Sequence, residues 1–176
     1  MKLLTTSLIA LLISVSAFAQ QSFPRNEIQV NLGSTILFLY PEISYERILT
    51  EDTSIGVSIG FGGTEYFSQN FNFTPFFRWF LSGNRESASI PGAGFFIEAN
   101  SSFYSRNGVS SRFDRDENTV YLDNVQNAFA AGIGLAIGWK HVTQNNWVGE
   151  FMLGGGRNLV DNGAYPRIGI SIGRRF

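Results

Sequence analysis

The only histidine of the chain, His141, precedes Thr143 by two residues. On an extended strand residues i and i+2 share a face, so the imidazole could draw the proton from the hydroxyl as a general base. Glu150 follows as the carboxylate nearest to that pair. A second chemistry is ionic. Glu42, Glu46, Arg78, Glu98, Glu150 and Arg167 each interrupt a stretch of alternating apolar and small residues, and charges enclosed there must be paired and hydrogen-bonded to be tolerated. A third is metal binding. Asp114-Arg115-Asp116-Glu117-Asn118 begins like a calcium loop, but its sixth position is Thr119 where glycine is needed, and its twelfth is Val125 where glutamate is needed. The segment reads instead as a solvated, charged surface loop, and no metal or cofactor is expected.

What must position these residues is a set of strands. From Asn26 onward the strongest regularity is period two, the repeat of a strand whose alternate side chains face opposite ways. In Ala128 to Lys140, Phe129, Ala131, Ile133, Leu135, Ile137 and Trp139 alternate with alanine, glycine and the final lysine. Ile55, Val57, Ile59 and Phe61 alternate with Ser54, Gly56, Ser58 and Gly60; Ile168, Ile170 and Ile172 alternate with Arg167, Gly169, Ser171 and Gly173. Weaker copies run through Glu27 to Ser34, Pro41 to Leu49, Phe71 to Leu81, Ala93 to Tyr104 and Trp147 to Gly156. About eight segments result, each near the roughly 9 to 11 residues that a tilted membrane-spanning strand needs. The alternation places the six charged residues opposite the apolar side, with Arg78 and Glu98 on adjacent antiparallel strands as the expected direct contact. Such a network either fills the lumen or forms a gate whose ion pairs exchange. Short turns are expected at Thr50 to Thr53 and Thr143 to Asn146, and a long loop at Arg106 to Asn127, the place for a surface ligand to bind. Ser82 to Gly92 is long for a connection on the turn side.

Composition agrees with a membrane setting. Charged residues are 15% of the chain, against roughly 25% in soluble domains, while glycine (19) and phenylalanine (17) are abundant and cysteine is absent. Met1 to Ala19 has the charged, apolar and small-residue order of a cleavable signal peptide, leaving one domain over 20–176. No later apolar run reaches the roughly 20 residues of a membrane helix, and no basic stripe suggests nucleic acid. The expected fold is therefore all-β: a single antiparallel up-and-down transmembrane β-barrel in the cell outer membrane. A soluble lipocalin-like periplasmic lipid carrier would alternate too, with its apolar side inward. It would waste glycine on the water-facing side, where glycine weakens strands. In a narrow lumen small residues make room for larger neighbours. Trp79, Trp139 and Trp147 then fall together at the periplasmic rim as an interfacial girdle, and Phe61, Phe71, Phe73, Phe103, Phe129 and Tyr165 at the outer rim.

The last segment, from Arg167 to Phe176, resembles the terminal strand of outer-membrane barrels. The resemblance implies recognition by the barrel assembly machinery through Ile168, Ile170, Ile172 and Phe176, although Arg174 stands where an apolar residue is usual. The chain as a whole resembles small barrels of the OmpA and OmpX type. Tyr40 to Leu49 (YPEISYERIL) and Gly132 to Trp147 (GIGLAIGWKHVTQNNW) are similar to barrel families of unknown function in Bacteroidota. That resemblance implies a non-enzymatic protein held in outer-membrane lipid, serving as anchor, surface contact or envelope-integrity component. His141, Thr143 and Glu150 resemble the His-x-Ser and carboxylate arrangement of outer-membrane lipid A deacylases, which implies a competing hydrolase reading. Thr143 replaces the serine there, and the alternation turns Glu150 inward and His141 outward.

Overall fold

The computed structural model describes residues 24–62, 69–81, 90–114, 119–160 and 163–176, with side chains at all of these except 37, 38, 69, 106–114 and 119–127. The expected signal peptide lies outside the described residues, as do positions 115–118 and 82–89.

Eight strands follow the alternation: β1 (Asn26–Asn31), β2 (Glu42–Ile48), β3 (Thr53–Phe61), β4 (Gln69–Phe80), β5 (Gly94–Asp114), β6 (Thr119–Val142), β7 (Trp147–Asn158) and β8 (Ala164–Arg175). Each pairs antiparallel with the next, and β8 closes on β1, giving an up-and-down barrel without a free sheet edge over the paired rows. The apolar side faces out: Ile133, Leu135, Ile168 and Ile170 are exposed, with Leu135 at 64%. Glu27, Glu46, Arg78, Glu98 and Lys140 are buried inside.

Residues 49–52 and 143–146 form the two short turns, the second ending on Asn146 at φ 63, a left-handed conformation that asparagine tolerates. The start of β1 and the C-terminal residue lie at this turn end, where Asn26 and Phe176 exchange backbone hydrogen bonds of 3.0 and 2.7 Å. The last residues of the connection before β5 fold beneath the barrel mouth. Ala93 packs with Val142, Val148 and Ile90, the Gly92 amide donates to the Glu51 carbonyl (2.9 Å), and Arg175 donates to the Pro91 carbonyl (2.7 Å). Gly92 has φ +66 and lies against the Ile48 side chain, so a side chain there would be both strained and crowded.

Three sequence expectations are corrected. Residues 106–114 and 119–127 are not loop: past a bulge at Arg106/Gly108 the β5–β6 ladder continues from Gly108↔Val125 to Asp114↔Thr119. Polar side chains disguise this ribbon, but backbone pairing needs no apolar face once both strands stand clear of the barrel wall. The strand expected from Glu27 to Ser34 stops at Asn31, and residues 32–38 are helical. They form helix α1 (Leu32–Phe38), because the Asn31 side chain accepts the Ser34 amide as an N-cap, and the helix ends at Leu39 with φ 51. Tyr165 does not sit on the outer rim. It shares parity with Arg167, is buried, and donates to Asn100 Oδ1 at 2.7 Å.

The helix leaves β1 only six residues long, so β1 pairs with β8 from Ser171 to Arg175 and no further. Beyond that point Asn31 stands in for the missing strand: its Nδ2 donates to the Ile168 carbonyl (3.2 Å) and its Oδ1 accepts the Ile170 amide (3.3 Å). Phe176 bonds to β1, whereas Arg175 donates to Asn146 on the β7 side. Backbone groups alternate along a strand, so even-numbered residues of β8 face the β1 side, and there Pro166 has no N–H to leave unpaired.

Candidate functional site in the barrel lumen

Seven strands send charged side chains into the lumen, and together they form an unbroken alternating chain. At the turn end Arg175 Nε donates to Glu27 Oε1 at 2.7 Å, and its Nη2 reaches the same oxygen. Lys140 Nζ bridges Glu27 Oε2 (2.8 Å) and Glu46 Oε2 (2.6 Å). Arg78 then joins three carboxylates: Nη1 to Glu46 (2.6 Å) and Glu150 (2.7 Å), Nη2 to Glu150 (2.8 Å), and Nε to Glu98 (2.8 Å). Arg167 continues from Glu98 (3.0 Å) to Glu42 (3.1 Å). Neutral groups complete the shell: Ser54 donates to Glu46 (2.6 Å), Asn100 to Glu98 (3.2 Å) and Gln29 to Glu27 (3.1 Å). β3 supplies no charge, but its Ser58 hydroxyl accepts from Arg167 at 3.2 Å.

Aromatic rings frame the centre of this chain. The Arg78 guanidinium carbon lies 4.4 Å from the Phe76 ring centroid and 4.5 Å from that of Phe96. A planar cation between two π faces, with carboxylates around its edge, uses both recognition modes that arginine offers. Glycine makes room for the rings. Gly56 is the cross-strand partner of Phe76, Gly138 of Phe96, and Gly156 of Tyr165; at each a Cβ would strike the ring of its partner. Phe80 and Phe96 continue into a small apolar cluster with Ala136 and Met152. Toward the opposite end Tyr40 fills the space over Gly60. Burial, with Glu42 nearby, pushes its phenol above the ordinary tyrosine range.

All six charged residues expected inside the lumen are there, and Arg78 meets Glu98 both in register and by hydrogen bond. The expected network left out Glu27, Lys140 and Arg175, although the alternation already set Lys140 on the small-residue side. Each has the parity of neighbours already assigned inward, so the signal was present. Trp79, Trp139 and Trp147 point outward near the turn end, as do Phe176 and the isoleucines Ile168, Ile170 and Ile172 along β8. No family model matches the chain, and no curated protein or solved structure is found similar to it.

The arrangement is one of fixed charge. Five carboxylates meet four cations, and among the described residues no group of three histidine, aspartate or glutamate side chains is arranged to hold a metal ion. His141 and Thr143 do not join Glu150. The histidine is exposed on the outer side, the Thr143 hydroxyl accepts the Trp147 amide at 3.1 Å within the turn, and Glu150 is held by Arg78 in the lumen.

Proposed function

We propose that this chain is a non-enzymatic outer-membrane β-barrel protein whose barrel is an anchor and whose β5–β6 ribbon supplies surface contact, contributing to envelope integrity. The observation that carries this reading is the polarity of the wall: a continuous apolar exterior around a lumen of paired charges. In a soluble carrier the apolar side would line the interior and accept a ligand; here Phe129, Ile133, Leu135, Ile137 and Trp139 all face out along a single strand. Lipid is the solvent that favours such an exterior, and a closed barrel is one of only two folds that satisfy their backbone groups within it. The three outward tryptophans at one end suit the level of lipid headgroups.

Cell fractionation tests the reading directly. The protein is expected in the outer-membrane fraction, extracted only by detergent, with a gel mobility that shifts on boiling. Protease added to intact cells is expected to cut within residues 106–127 and leave the barrel whole. Release by osmotic shock without detergent would overturn the proposal.

A further inference from the structure

The exterior is not uniformly bulky. Across β2 to β5 it sinks into a groove of ≈ 610 Å³, within the roughly 300 to 1,000 Å³ typical of ligand sites. Two rows of cross-strand partners make it: Arg47, Ile55, Phe77 and Ala99 in one, Tyr45, Val57 and Pro75 in the next. The floor is low because Val57, Pro75 and Ala99 are small, while Tyr45, Ile55 and Phe77 stand beside them. Pro75 also interrupts the β4–β5 ladder, whose register passes from Phe73↔Phe103 to Phe76↔Asn100. Leu81 donates to Phe95 on β5, so odd-numbered residues of β4 face that strand, and there Pro75 has no N–H to offer.

Arg47 stands at the turn end of this groove. The lumen cations each meet carboxylates, but among the described residues no ion pair involves Arg47. Its one hydrogen-bond acceptor among the described residues is the neutral Asn26 Oδ1 (3.4 Å), which also accepts the Tyr45 hydroxyl (2.8 Å). A cation on the lipid-facing wall is costly unless it lies at the interface or meets an anion there.

Building on the membrane reading above, we propose that the groove is a binding site for one anionic phospholipid of the leaflet on the turn side, its phosphate on Arg47 and an acyl chain along Val57, Pro75 and Ala99. The charge selects the headgroup and the depression holds the chain, so the two contributions separate by mutation. Native mass spectrometry of the full barrel, released from detergent after titration with phosphatidylglycerol or phosphatidylcholine, reads both. Wild type is expected to retain one phosphatidylglycerol about tenfold more tightly than phosphatidylcholine, a difference of about 1.4 kcal/mol. Arg47→Gln should abolish that preference. Ala99→Phe, which fills the groove from outside, should lose the retained lipid of either kind, and Val57→Phe serves the same purpose if Ala99→Phe does not fold. Arg174→Gln, an outward arginine beyond the groove, should match wild type. Retention unchanged in Arg47→Gln, or lost equally in Arg174→Gln, would overturn the site. Insertion of wild type into neutral vesicles is scored separately: failure there removes the membrane reading itself, whereas insertion without headgroup preference removes only this site.

Discussion

Replacing Arg78 by methionine is the sharpest probe of the lumen. The guanidinium joins Glu46, Glu98 and Glu150, but these carboxylates do not depend on it equally. Without it Glu46 keeps Lys140 at 2.6 Å and Ser54 at 2.6 Å, and Glu98 keeps Arg167 at 3.0 Å and Asn100 at 3.2 Å. Glu150 is left with Gln29 at 3.4 Å and Lys140 at 3.6 Å, both weak by the geometry of hydrogen bonding. Removing one partner of a buried pair costs roughly 3 to 5 kcal/mol, chiefly because the remaining charge is uncompensated. Arg78→Met should therefore destabilise the barrel by about that amount, with most of the cost at Glu150.

That location makes the reasoning testable. Glu150→Gln in the Arg78→Met background removes the stranded charge and should recover at least about half of the loss, a coupling that a double-mutant cycle measures. Arg78→Lys should fall between wild type and Arg78→Met, because one ammonium cannot serve three carboxylates in a plane or stack between Phe76 and Phe96. The assay is urea unfolding from lipid vesicles followed by tryptophan fluorescence, with heat-modifiable gel mobility as the check on barrel closure. A cost below about 1 kcal/mol for Arg78→Met, or simple additivity of Arg78→Met with Glu150→Gln, would refute the account.

Asn31→Ala removes an N-cap worth about 1 kcal/mol and strands the Ile168 carbonyl and Ile170 amide at about 1 to 3 kcal/mol per buried group. Hydrogen exchange at the Ile170 amide should accelerate while exchange in β6 does not. Gly138→Val drives a side chain into the Phe96 ring and should cost about 1 to 3 kcal/mol, with Phe96→Leu recovering part of it in the same unfolding assay. Leu135→Arg places a charge on the exterior, remote from the turn end; it should cost about 2 to 4 kcal/mol in vesicles, and a cost near zero would count against a lipid-facing wall.

Strand order and facing were readable because period two survives wherever the ribbon divides an apolar exterior from an enclosed interior. The errors fall where that condition lapses. Beyond Arg106 the paired ribbon leaves the body of the barrel, so polarity no longer reports strand. At Leu32 the apolar alternation nominally continues, yet Asn31 and Ser34 impose a helix start that a period-two reading cannot register. Tyr165 is by residue type suited to a rim, but its parity with Arg167 points inward. Glu27, Lys140 and Arg175 share that inward parity, but charges near strand ends resemble solvated ends in sequence, and only the structure shows them buried, with Arg175 bonded to the Pro91 carbonyl.

No single strand could reveal which residues meet across the lumen, because that depends on register. The glycines of β3, β6 and β7 read merely as small. Only pairing shows that Gly56, Gly138 and Gly156 each lie beside an aromatic of the adjacent strand. A slip of one residue would turn the lumen charges of the slipped strand outward. A slip of two would preserve facing but separate each ring from its glycine and Arg78 from Glu98. The aromatic and glycine pairs thus exclude the register errors that alternation alone permits, and the charge chain excludes the same errors independently. The buried charges of the lumen therefore have a structural role: together with the rings they specify one closure of the barrel among several that its apolar exterior would accept.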